Sequence, residues 1–287
     1  MLRAVSPTPS SPSNGRIALV TGANTGIGRV TAVELARHGF KVFLAGRSLE
    51  RTQPVLDEIR ALAPATPAEW LPLELADFDS VRRCARAFLE RGLPLHLLVN
   101  NAGLAGARGL TPSGFETMFG VNHMGHFLLT RLLLDRLKES APARIVTLAS
   151  RAHTRVAGID WDAIRRPTAT VSGIQEYGSS KLANILFSAA LARRLEGTGV
   201  STYSLHPGVV DSDIWRKLPW PLRALNRLRL ITPQQGALTT LHCALSDEAG
   251  RETGLYYSDG KPVPASAAGQ DAALAEELWR RSEAWVG

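Results

Sequence analysis

A tyrosine and a lysine stand four residues apart in Tyr177-Gly178-Ser179-Ser180-Lys181. On a helix, positions i and i+4 are neighbours on one face. A phenol with its ordinary pKa near ~10 is a poor base at neutral pH. An ammonium beside it favours the phenolate and is expected to lower that pKa. Such a pair can give or take the proton of a carbonyl/alcohol couple. A second set of residue types speaks to an anion. Thr21-Gly22-Ala23-Asn24-Thr25-Gly26-Ile27-Gly28 follows a strand-like run and precedes a helix-like one. Three glycines there let the backbone turn tightly and approach a pyrophosphate, while a helix N-terminus offers free N–H groups and a favourable dipole.

The elements that must position these groups alternate along the chain. Strand-like runs are Arg16–Thr21, Lys41–Ala45, Trp70–Leu73, Leu95–Val99, Arg144–Leu148, Val200–Leu205 and Gly254–Tyr257. Helical spacing occupies Thr25–His38, Leu49–Leu62, Ser80–Leu89, Phe115–Leu137, Ser179–Leu195, Gln234–Leu245 and Ala272–Trp285. Strict alternation of β and α, with continuously apolar strands, predicts a parallel sheet covered on both faces. The expected fold class is α/β, one doubly wound Rossmann-type domain over 16–287. Met1 to Gly15, rich in Ser and Pro, reads as a disordered tail without the apolar stretch of a signal peptide.

Composition narrows the function. Apolar residues make up 45% and charged residues 21%, ordinary for a globular domain and unlike a disordered chain, a coiled coil or a collagen. The net charge of +7 invites a nucleic-acid partner, but only five of the 33 basic residues are lysines and the arginines are scattered, so no such partner is expected. Cys84 and Cys243 make neither a metal set nor a disulfide framework. A reducing, cytoplasmic setting without a bound metal follows as the expectation.

The glycine spacing is G-x-x-x-G-x-G, and further elements come in a recognisable order: Asn100-Asn101-Ala102-Gly103 after the fourth strand, Asn122 on the long helix, Ser150 after the fifth strand, Tyr177-x-x-x-Lys181, and His206-Pro207-Gly208 after the sixth. In these six elements the chain resembles the short-chain dehydrogenases/reductases. The resemblance implies hydride transfer between a nicotinamide and an alcohol/carbonyl pair. It implies that Tyr177 is the proton donor or acceptor, that Lys181 also bonds the nicotinamide ribose, that Ser150 orients the substrate oxygen and that Asn122 holds a water of the proton relay. Gly22, Asn24, Thr25, Gly26, Ile27, Gly28, Asn101, Ala102, Gly103, Pro207, Gly208 and Ser212 would line the cofactor. Where the family has an Asp after the third strand, this chain has Glu74-Leu75, expected at the adenine.

NAD-specific relatives carry an acid at the end of the second strand. Here Ala45-Gly46-Arg47 has none, and Arg47, with Arg29 as a second cation, suits the 2′-phosphate of NADP. Asn24-Thr25, Ala45-Gly46-Arg47, Lys181-Leu182-Ala183-Asn184 and the separation of 27 residues between Ser150 and Tyr177 are similar to the retinol dehydrogenase and WW-domain oxidoreductase branch. Trp161 and Ile164, inside that separation, are expected to wall the substrate site. Asp211 to Leu230, with Trp215 and Trp220 among five cationic residues, would form a substrate lid for an apolar alcohol or carbonyl, retinoid-like or other, or touch a membrane surface. Homo-oligomers through the long helices are common in the family. A regulatory nucleotide-binding protein without turnover is the alternative, and it has no need of a phenol beside an ammonium.

Overall fold

The structure is a computed structural model that describes residues 13–209 and 231–287. Residues 1–12 of the proposed tail and the whole 211–230 lid with Ser212 lie outside the described residues. Strands β1 (Ile17–Thr21), β2 (Lys41–Gly46), β3 (Glu69–Pro72), β4 (Leu97–Asn100), β5 (Ala143–Leu148), β6 (Val200–His206) and β7 (Tyr256–Ser258) form one parallel sheet in the order 3-2-1-4-5-6-7. A short β8 (Lys261–Pro262), which apolar patterning does not reveal, pairs antiparallel with β7. The order reverses between β1 and β4, so a crevice opens beyond their C-terminal ends, where open α/β sheets bind ligands.

Successive strand residues face opposite layers, as the pleat requires. Ile17, Leu19, Phe43 and Leu98 pack with α3 (Phe78–Leu89), α5 (Gly125–Glu139), α6 (Ile174–Arg194) and α8 (Ala272–Val286). Ala18, Val20, Val42 and Val99 pack with α1 (Gly26–Arg37), α2 (Leu49–Leu62) and α7 (Pro233–Leu245). The long helix expected from Phe115 is a composite. It runs through α4 (Thr117–Phe119), a π-helical turn (Gly120–Met124) and α5, and Asn122 sits in the π turn. Single π turns inside helices are frequent at functional sites. α6 starts at Ile174, five residues before the sequence pattern suggests, because the Glu176 carboxylate accepts the Ala169 and Thr170 N–H groups and anchors the first turn. Tyr177 is thereby on the helix with Lys181.

α8 packs along α6 and against one side of α5. Trp279 meets Phe127 edge-on at 5.2 Å and stacks on Phe187 at 5.9 Å, and Glu283 pairs with Arg131 at 3.1 Å. Trp161 and Ile164 do not wall the crevice as expected. Trp161 packs on Trp285 of α8 under the Arg281 guanidinium, and Ile164 is buried in the core layer of Phe115 and Phe119. The apolar surface of Trp161 is taken up by the C-terminal helix, which local sequence does not announce. Among the described residues no helix is long and apolar enough to cross a membrane.

Candidate active site

The glycine turn meets the Asn100–Gly103 loop at the crevice. Gly22 has φ 65°, and a Cβ there would lie 2.9 Å from Cα of Ala102. A Cβ on Gly28 would lie 2.3 Å from the Gly22 carbonyl oxygen. The turn is therefore closed on itself in a way only glycine permits. α2, α3, α7 and α8 each begin with a side chain that accepts a first-turn N–H, from Ser48, Asp77, Thr232 and Asp271. α1 begins at Thr25, whose side chain makes no such bond. The N-terminus of α1 is thus presented without a side-chain cap, which suits a pyrophosphate.

Across the crevice, Tyr177, Lys181, Ser150 and Asn122 converge. The Tyr177 hydroxyl is hydrogen-bonded with the Ser150 side chain. Ser150 ends the segment after β5, and its Oγ also accepts the Ala152 N–H at 3.2 Å. Lys181 Nζ donates to the Leu148 carbonyl at 2.9 Å and lies 5.7 Å from the centre of the Tyr177 ring. Gly103 keeps this space open: a Cβ there would sit 3.4 Å from both Lys181 Nζ and Asn122 Oδ1. The Asn122 side chain is fully engaged. Oδ1 accepts the Leu104 N–H at 2.9 Å, and Nδ2 donates to the Leu104 carbonyl and to Ser180 Oγ, each at 3.0 Å. Ser180 Oγ in turn donates to the Tyr177 carbonyl at 2.8 Å. Asn122 therefore clamps the loop after Gly103 to the helix of Tyr177, a role for which its residue type gave no separate signal.

The cofactor-side cations are placed differently from one another. Arg47, its side chain 70% exposed at the end of β2, has Nη1 3.7 Å from Glu74 Oε2. Glu74 Oε1 accepts the Ala76 N–H at 3.1 Å. Leu75 packs against Gly125, where an added Cβ would lie 2.4 Å from the Leu75 carbonyl oxygen. Arg29, its side chain 52% exposed, is paired with Glu58 of α2 at 2.9 Å. Pro207 and Gly208 follow β6 at the same edge, with Gly208 at φ 91°. Among the described residues there is no group of three His, Cys, Asp or Glu that could hold a metal, and Cys84 and Cys243 are separate buried thiols.

Comparison with known proteins settles what this arrangement belongs to. A family model described as short chain dehydrogenase matches residues 16–163. Mouse retinol dehydrogenase 12 is 44% identical over 279 residues, 93% of this chain and 85% of the relative. The chain belongs to the short-chain dehydrogenase family. Human retinol dehydrogenase 11, 44% identical over 92% of this chain and 84% of its own length, places it in the retinol dehydrogenase branch. A crystal structure of an uncharacterized Mycobacterium paratuberculosis protein superposes with a TM-score of 0.76 at 34% identity, over 96% of this chain and 95% of that one. The RhlG/NADP active-site complex of Pseudomonas aeruginosa gives 0.69 at 27% identity, over 88% and 98%. This short-chain dehydrogenase is a hydride-transfer oxidoreductase acting on an alcohol/carbonyl pair, and its fold binds a nicotinamide cofactor.

Electrostatics at the site run against the simplest expectation. Burial pushes the Tyr177 hydroxyl up to about 12, partly countered by its hydrogen bond with Ser150. Burial also draws Lys181 down to about 7. The expected lowering of the phenol by its neighbour is thus outweighed: the amine shares the same dry surroundings, and desolvation penalises both charged forms. Sequence spacing reported the proximity of the two groups but not the dielectric around them.

Proposed function

We propose that this short-chain dehydrogenase reduces an apolar aldehyde or ketone with NADPH, or runs the reverse oxidation, using Tyr177 as the proton-transfer group. The observation that carries the proposal is the buried Tyr177 hydroxyl, hydrogen-bonded with Ser150 and one helical turn from Lys181, at the switch point of the sheet. The residues fit a dinucleotide: the N-terminus of α1 is without a side-chain cap, and Gly22 and Gly28 sit where any Cβ would be crowded. When bound, the nicotinamide supplies or accepts the hydride. Tyr177 is protonated at neutral pH and donates to the carbonyl oxygen, which the Ser150 hydroxyl holds in place. Burial draws Lys181 down to about 7, so near neutral pH it can hold a ribose hydroxyl and exchange a proton with the phenol. Asn122 supports this through Ser180 and the Leu104 loop.

For NADP the support is Arg47, with no acid in its place at the end of β2, and the NADP complex of the Pseudomonas relative. For an apolar substrate it is the packing of Tyr177 among Leu104, Ala105, Ala107, Met118 and Ala152, and the retinol dehydrogenase names of the relatives. Membrane contact is assigned to 211–230 on its sequence alone, and a cytoplasmic location on two buried, separate thiols. Self-association through the long helices is assigned on the family resemblance, and Leu132 on α5 is exposed. The test is the loss of reduced-nicotinamide absorbance with a homologous series of aliphatic and polyene aldehydes. Turnover with NADPH and KM falling with chain length are expected, and Tyr177→Phe should abolish turnover while binding NADPH. Full activity in Tyr177→Phe would refute the mechanism, and a KM independent of chain length would refute the apolar substrate.

A further inference from the structure

Thr21 closes β1 immediately before the glycine turn. Its Oγ1 accepts the backbone N–H groups of Asn101 and Ala102, each at 3.0 Å. Both lone pairs of the hydroxyl are then engaged, leaving one proton to donate. His126 Nε2 lies 2.9 Å away, nearer than the Val99 carbonyl at 3.4 Å. The other ring nitrogen, Nδ1, is 3.0 Å from the main-chain carbonyl oxygen of Asn122. A carbonyl only accepts, so Nδ1 carries the ring hydrogen. The neutral ring then has its lone pair on Nε2, facing the Thr21 hydroxyl. The ring is neutral because it is buried, 1% exposed, with its pKa drawn down to about 4 by desolvation and further by the charge of Lys181.

These bonds run in one direction, from the Asn101 and Ala102 amides through the Thr21 hydroxyl and the His126 ring to the Asn122 carbonyl. At Asn122 they meet the second set, the side-chain bonds to Leu104 and to Ser180 on the helix of Tyr177. We propose that His126 is a positioning residue for the alcohol/carbonyl reaction: held in the Nδ1–H form between Thr21 and Asn122, it ties the dinucleotide turn to the π turn that carries Asn122, so that cofactor seating and the placement of the Tyr177 helix are set together. The proposal rests on the reading of Tyr177, Lys181 and Ser150 as the reacting groups.

Two arms test it. Proton–nitrogen correlation spectra of the wild-type histidines should show His126 with hydrogen on Nδ1 at neutral pH; hydrogen on Nε2, or an imidazolium, overturns the proposal without any variant or turnover. In the second arm, His126→Asn, His126→Gln and His126→Phe are compared for NADPH affinity and for kcat with an aldehyde. The Asn amide falls near the Nδ1 position and keeps a donor for Asn122, so kcat should stay within about threefold while NADPH affinity drops. The Gln amide falls near the Nε2 position and keeps a partner for Thr21, so affinity should hold while kcat drops about tenfold, the scale of a stranded buried hydrogen-bonding group. Phe should lose both. A role in space-filling alone predicts Phe as the best replacement and no split between Asn and Gln, and that result overturns the proposal. Absence of aldehyde turnover in the wild type refutes the proposed function instead, and NADPH affinity unchanged across all three variants would still refute the coupling.

Discussion

Gly28→Ala adds one methyl group at the tightest point of the dinucleotide turn. The new Cβ would lie 2.3 Å from the Gly22 carbonyl oxygen and 2.4 Å from Asn101 Nδ2. Ordinary contact between such atoms needs about 3.5 Å, so something must move by roughly 1 Å. Gly22 O belongs to the backbone and cannot rotate away. Asn101 Nδ2 is held by the Thr21 carbonyl at 2.7 Å and the Gly22 carbonyl at 3.3 Å, so its retreat breaks the join between β1 and the loop after β4. Overpacking costs about 1–3 kcal/mol, and the stranded hydrogen-bonding groups cost about 1–3 kcal/mol more. Alanine regains roughly 0.5–1 kcal/mol of helix propensity. The net is about 1–5 kcal/mol of destabilisation, or a fall in Tm of about 2–20 °C for a chain of this size. NADPH affinity should fall by more than tenfold, because the amides at the start of α1 are displaced with the turn. Gly46→Ala, where an added Cβ meets nothing within 4 Å, serves as the stability control. Calorimetry and fluorescence titration of NADPH read both quantities. A Gly28→Ala protein that melts within about 2 °C of wild type and binds NADPH equally well would refute the closed-turn reasoning.

Lys181, drawn from 10.5 down to about 7, binds fewer protons folded than unfolded between those values, so its presence makes stability rise with pH in that range. Cys84, pushed up to about 12 from 9.0, opposes this only above about pH 9. Denaturant midpoints of the cofactor-free protein should therefore climb from about pH 7 to 9, and Lys181→Met should flatten the climb; an equal slope in the variant would show that Lys181 is not the group responsible. Arg47→Ala should weaken NADPH by roughly tenfold and leave NADH unchanged, the scale of one charge-assisted hydrogen bond. Glu74→Gln, which removes the carboxylate 3.7 Å from Arg47, should tighten NADPH by a small factor, and equal wild-type affinity for NADH and NADPH would contradict both.

Much of this protein is set by local chemistry and was readable before any fold was known. Leu49–Leu62 carries its helix ends in its own residues, with Ser48 as the cap. The glycines at 22 and 28 announce a turn because no other residue fits such a turn, and the Tyr177–Lys181 spacing announces one helix face. Apolar runs of four to six residues announce buried strands, and their order with the helices announces the doubly wound sheet. What the fold alone decided involves partners distant in sequence. The clamp of Asn122 on the helix of Tyr177 exists only because Ser180, 58 positions away, is brought to it. Arg29 meets Glu58 across a helix pair, and Trp161 is claimed by the C-terminal helix. The direction of the Tyr177 and Lys181 shifts depends on how much water the packed site excludes, a property of the whole enclosure and not of either residue. The link from Thr21 through His126 to Asn122 spans 105 positions between its first two members, and a hydrogen bond between residues so far apart exists only once β1 and the long helix lie side by side.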